Sequence, residues 1–204
     1  SVRLIGVELE TILHALKHGG VDTPNRAMLV QRQPPPTRFE TPAPSVETIH
    51  NNLGAQTTPF VGRTAELGDL YRLLQEPPTR LITVLGPGGM GKTRLILELG
   101  MTVIDGRVPG TQARRRTPIF RDGVYLVALQ LLTSADAIPN AIAEAVGLQI
   151  FPGTPSRTQL MDYFRDKAVL LLVDNCEHII DGLSTLSDIL HAAPEVKIDR
   201  KSVV

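Results

Sequence analysis

Lys92, Thr93, Asp174 and Glu177 are the residues whose types and positions could do chemistry in this sequence. Lys92 and Thr93 close the octapeptide GPGGMGKT at residues 86–93, which fits G-x-x-x-x-G-K-[ST]. Gly86, Gly88, Gly89 and Gly91 crowd a stretch where a chain would normally place packing side chains. Glycine has no Cβ, so it reaches unusual backbone angles and lets another group approach the main chain. In such a loop, Gly86, Pro87, Gly88, Gly89, Met90 and Gly91 wrap a phosphate, chiefly through main-chain N–H groups. Lys92 reaches the outer phosphates, Thr93 holds Mg²⁺, and Arg94 follows in the same binding set. A helix starting here turns its positive end toward the same anion.

One lysine cannot balance a triphosphate, so Mg²⁺ is expected, with few hard oxygen ligands. Thr93 supplies one. A carboxylate at the C-terminal end of a neighbouring strand supplies the usual second contact, often through water, and Asp174 ends the apolar run AVLLLV. Its other reading is a plain strand-to-helix cap. Hydrolysis also needs a group to orient water. Asn175 cannot act as a base, which leaves Glu177 as the candidate, or as a first-turn residue favoured by the helix dipole. Cys176 reads as a packed small residue and His178 as a surface residue, with no pairing that would make a nucleophile.

The elements that must position these residues are legible around them. Residues 81–85, LITVL, read as a buried strand, and residues 93–104 place Leu95, Ile96, Leu99 and Val103 at helical spacing. Strand, loop and helix is the context the motif requires. A helix with Thr64 as cap and Leu67, Leu70, Leu73 and Leu74 on one face precedes it. Residues 106–122 read as a solvated basic insertion; Arg114, Arg115 and Arg116 lack the interleaved aromatics of a nucleic-acid surface. A strand over 124–128, helices over 135–146 and 158–166, a strand over 168–173 and a helix over 177–191 follow. Strands alternating with helices predict an α/β fold, a parallel sheet flanked by helices.

The bulk numbers agree. A length of 204 residues holds one domain with something appended, and zero formal net charge gives no global attraction to nucleic acid or anionic membrane. One cysteine excludes an internal disulfide, which suits the cytoplasm, and no apolar run reaches the ~20 residues of a membrane span. The start on Ser1 hints at a fragment.

Three separated stretches, NNLGAQTTPFVGRTAEL, LGPGGMGKTRL and LLLVDNCEHI, together resemble the nucleotide-binding domain of STAND-class signalling ATPases. They look most like the NB-ARC-like domain of bacterial multidomain transcriptional regulators of the AfsR and LuxR types, over about residues 51–198. The resemblance implies a switch held closed by ADP and opened by ATP, with self-association of the full-length protein and slow hydrolysis as a timer. It places Val61, Gly62 and Arg63 near the adenine, the loop at residues 86–93 on the phosphates and Asp174 on the magnesium. The family often has a second acid after that aspartate; Asn175 stands here, so the resemblance implies slow ATPase activity at most.

The expected organisation is a helical segment at 1–32, a Pro-rich linker at 33–58, an incomplete P-loop NTPase domain at 59–198, and DRKSVV at 199–204. Ile5, Leu9, Ile12, Leu13 and Leu16 suggest the end of a helical repeat domain or, equally, a loose tail. DRKSVV reads as a tail foreign to the domain or as a divergent charged end, where the family would carry an arginine that senses the γ-phosphate. The lobes that close over ADP are expected to be missing, and DNA contact to belong to a domain outside this chain. The alternatives are a P-loop small-molecule kinase, which would need an acceptor pocket, and an AAA-type motor, which would assemble into rings.

Overall fold

The computed structural model describes residues 3–8, 49–174 and 183–202. In chain order they form β1 (Arg3–Glu8), α1 (Thr64–Gln75), β2 (Thr79–Leu85), α2 (Lys92–Ile104), β3 (Gly123–Ala128), α3 (Ile138–Val146), α4 (Ser156–Phe164), β4 (Val169–Asp174), α5 (Leu183–Ala192) and β5 (Lys197–Ser202). One five-stranded sheet results, ordered β1-β2-β5-β4-β3. The last four are mutually parallel, and β1 lies antiparallel on the outer edge of β2. This is the expected parallel sheet flanked by helices, with one added strand.

The six residues of β4 are all buried, as a central strand covered on both faces must be. Ile82, Val84, Leu170 and Leu172 meet Leu67, Leu70 and Leu74 of α1 and Leu95, Ile96 and Leu99 of α2 on one face. Leu171, Val173 and Ile198 meet α3, α4 and α5 on the other. At Gly100 the approach is closest: a Cβ there would lie 2.7 Å from a Leu53 methyl and 2.8 Å from a Leu172 methyl.

Several expectations change. Residues 3–8 are a strand, not the first turns of a helix. A short apolar run does not distinguish the two, and the open edge of β2 decides it. The rest of the 1–32 segment lies outside the described residues. The linker ends earlier than residue 58. Ile49 is buried, the Val124 N–H donates to the His50 carbonyl, and the Asn52 side chain bonds both main-chain groups of Leu126. Residues 49–53 thus cover the β3 edge and belong to the domain. Residues 199–202 form the second half of β5, paired with β2 throughout and with β4 at Asp199 and Arg200.

Smaller differences are local. Arg63, in the left-handed region at φ 54°, caps α1 without a side-chain bond, and Thr64 is already helical. Residues 135–137 form a 3₁₀ turn capped by Ser134, and α3 begins at Ile138 with proline in its first turn. The basic insertion is solvated as expected, with Arg114, Arg115 and Arg116 exposed, but anchored by an Arg107–Arg114 bridge and buried Phe120.

Candidate functional site

The parallel register brings the C-terminal ends of β2, β5 and β4 to one edge, with Leu85 opposite Ser202, Val84 opposite Lys201 and Val173 opposite Arg200. Residues 86–91 leave β2 there and turn into α2. Gly89 at φ 74° and Gly91 at φ 71° occupy the left-handed region, which a residue with a Cβ adopts only at a cost. A Cβ added at Gly88, Gly89 or Gly91 would meet nothing within 4 Å. The loop is therefore open to an incoming group at a helix N-terminus, the right setting for an anion.

Lys92 lies beneath the loop, only 5% exposed. Its Nζ donates to the Gly86 carbonyl at 2.6 Å and the Pro87 carbonyl at 2.8 Å. These two bonds hold the ammonium against the loop's main chain and leave one of its three donors for a ligand. Arg94, next on α2, donates to the Gln56 side chain and the Thr58 carbonyl, and so ties the segment before α1 to the start of α2. Farther along that segment, Val61 is 84% exposed and Gly62 takes φ 76°. The buried Nη1 of Arg63 has no hydrogen-bond partner.

Asp174, at the end of β4, faces the loop. Thr93 Oγ1 lies 3.4 Å from each of its carboxylate oxygens. A hydroxyl and a carboxylate so placed suit Mg²⁺, which takes few protein ligands and completes its shell with phosphate oxygens and water. Among the described residues no three His, Cys, Asp or Glu side chains cluster as a metal site would require. Thr93 and Asp174 are the residues that would hold the ion. Glu177, the residue expected to orient water, lies outside the described residues, as do Asn175, Cys176 and His178.

Lys201 was not anticipated. Its Nζ is 2.6 Å from Asp174 Oδ1 and donates to Thr93 Oγ1 at 2.8 Å. Burial, and then the charge of Lys92, lower its pKa. No motif marks this lysine; only its place in β5, one residue from the strand end, brings it to the site. A cleft of 460 Å³ between α1, α2 and the basic insertion, lined by Phe60, Leu67, Glu98, Thr102 and Arg107 among others, borders the region. No residue of 86–93 lines it.

Comparison with known proteins follows this geometry. The AAA domain family matches residues 75–199, more than half of the chain. An uncharacterised protein of Mycobacterium tuberculosis is 32% identical over 156 residues, covering 76% of this chain and 36% of that protein. A Mycobacterium bovis protein provisionally named an HTH-type transcriptional regulator is 32% identical over 120 residues, covering 58% of this chain and 12% of its own length. The chain thus spans about a third, or less, of the curated relatives it matches. The ORC2 protein of Aeropyrum pernix, solved with ADPNP and ADP, aligns with a TM-score of 0.42 at 17% identity over 69% of this chain and 40% of that one. No described helix is long and apolar enough to cross a membrane. With this match over more than half of its length, the chain belongs to the AAA domain family of P-loop nucleoside triphosphatases.

Proposed function

We infer that this domain is an ATP/ADP-binding regulatory switch within a longer transcriptional or signalling regulator. Nucleotide is held by residues 86–94 and by Val61, Gly62 and Arg63, and slow Mg²⁺-dependent hydrolysis belongs to the longer protein. The convergence of Lys92, Thr93 and Asp174 at one sheet edge carries the reading. Mg²⁺, when bound, neutralises phosphate charge and polarises the terminal phosphoryl group. Lys92 takes the outer phosphates, the Gly-rich main chain takes the inner ones, and Asp174 and Thr93 orient the metal side.

The regulator context rests on the name given to the mycobacterial relative and on the FVGR and DNCEH stretches. DNA contact, on this reading, belongs to another part of such a protein. Self-association on ATP binding is the expected output, and the AAA membership favours it over a small-molecule kinase. The alternative within that family is a ring-forming motor. Nucleotide-dependent hexamers in light scattering would favour the motor, and a phosphorylated small-molecule product would favour a kinase.

The test is titration with fluorescent ADP and ATP, with and without Mg²⁺, beside Lys92→Ala. Saturable binding that Lys92→Ala weakens by about ten- to a hundredfold is expected, since a charged contact is worth about 1.5–3 kcal/mol. Equal binding by wild type and Lys92→Ala would overturn the site.

A further inference from the structure

Most P-loop sites leave the space between the hydroxyl and the acidic strand end for a metal. Here a side chain of the same chain fills it. Lys201 Nζ stands 2.6 Å from Asp174 Oδ1 and 2.8 Å from Thr93 Oγ1, so it touches both groups that would hold Mg²⁺. Magnesium bound to that hydroxyl would lie about 2.1 Å from it. An ammonium at hydrogen-bond distance from the same two oxygens leaves no room for the ion, so only one cation fits.

The arrangement is anchored. Lys201 pairs with Val84 in the β2 register, one residue before the strand ends. Its neighbour Arg200 donates to Thr83 Oγ1 at 3.0 Å, which fixes the strand next to it. The Lys201 and Asp174 side chains are 13% and 9% exposed, so the pair is largely shielded from competing water and salt.

We propose that Lys201 is a tethered cation that takes the metal position between Thr93 and Asp174 and lowers the dependence of nucleotide binding on Mg²⁺. It rests on the nucleotide-site reading above. With the ammonium in place, Asp174 is neutralised and no longer repels the phosphates, so ADP binds without metal. For Mg²⁺ to enter, the ammonium must leave both oxygens, and the ion pair it gives up weakens apparent metal affinity. The site therefore selects for metal-free nucleotide when Mg²⁺ is scarce.

The experiment measures the affinity of the chain for N-methylanthraniloyl-ADP in EDTA and in millimolar Mg²⁺. Wild type, Lys201→Met, Lys201→Arg and Lys92→Ala are compared, and thermal unfolding checks the fold of each. Wild type and Lys201→Arg, which keeps a cation, should respond to Mg²⁺ by less than about threefold. Lys201→Met should bind weakly in EDTA and gain at least about tenfold on adding Mg²⁺. Electron paramagnetic resonance with Mn²⁺ should show tighter protein-bound manganese in Lys201→Met with ADP present. If Lys201→Met does not fold, Lys201→Gln carries the same expectation. An equal Mg²⁺ response in wild type and the neutral variant, with binding still lost in Lys92→Ala, would overturn the tethered cation and leave the nucleotide site standing. No binding by folded wild type would overturn both.

Discussion

Replacing Asp199 by valine should stabilise the fold strongly, and increasingly so as pH rises. Asp199 lies in the middle of β5, paired with Ile82 and Leu172, on the sheet face that packs against α1 and α2. It is 0% exposed, and neither carboxylate oxygen has a hydrogen-bond partner. Burial alone pushes its pKa up from 3.8 to about 8. The folded chain thus holds this proton more tightly than the unfolded chain. Stability is full below about pH 4, falls as pH rises toward 8, and is level above that. At pH 7 the unfolded form has lost the proton about 3 pH units earlier, at about 1.4 kcal/mol each, or on the order of 4 kcal/mol. Burial of an unbonded neutral carboxyl costs roughly 1–3 kcal/mol more. Valine matches the aspartate in size and suits a strand. Urea unfolding of both proteins between pH 4.5 and 8.5 measures the effect, because the other carboxylates cancel in the difference. The gap between Asp199→Val and wild type should widen by about 2.7 kcal/mol from pH 5 to pH 7. Asp199→Asn should lose the pH slope but keep the cost of a buried polar group. A gap that is constant with pH would refute the buried, unpartnered carboxyl.

Other positions give independent tests. Arg80 donates to the Leu190 carbonyl in the last turn of α5 and to the Ala193 and Val196 carbonyls beyond it and is half-buried, so Arg80→Met should cost roughly 1–3 kcal/mol in urea unfolding. Gly100→Val should lower stability by about 1–3 kcal/mol, because its Cβ would enter the space of the Leu53 and Leu172 methyls. Gly91→Ala forces a side chain onto φ 71° and should cost about 1–2 kcal/mol and weaken ADP binding, while Gly54→Ala, with open space and no such φ, should leave both nearly unchanged. Asn52→Ala unpairs both main-chain groups of Leu126 and should speed amide hydrogen exchange there, read by mass spectrometry.

Much of the candidate site's edge was legible in the sequence because its residues sit in short, ordered motifs. The apolar run of β4, the four glycines and the helical spacing of Leu95, Ile96 and Leu99 each reflect one local constraint, and each took its expected place. Long-range pairing escaped. The strand at residues 3–8 is set by the open edge of β2, which lies far along the chain. β5 escaped for a different reason: Asp199, Arg200 and Lys201 break the apolar run that marks a central strand. Thr83 and the Thr93–Asp174 pair absorb two of those charges, and Asp199 stays unpaired. The packed residues 49–53 looked like linker because prolines and polar residues surround Ile49 and Leu53.

The position of β5 has a consequence for how the chain is made. Thr83 and Arg200 are register partners, yet 117 residues separate them in sequence. β2 and β4 do not touch as neighbours; β5 fills the gap between them. A ribosome delivering this chain therefore releases the phosphate loop and both flanking helices long before the strand that joins the two halves of the sheet. Until then, β2 and β4 each present an unpaired inner edge, and loop-closure entropy must be met before their pairing is rewarded. The Asp174 side of the nucleotide site therefore cannot take its place against Thr93 until synthesis has passed β5.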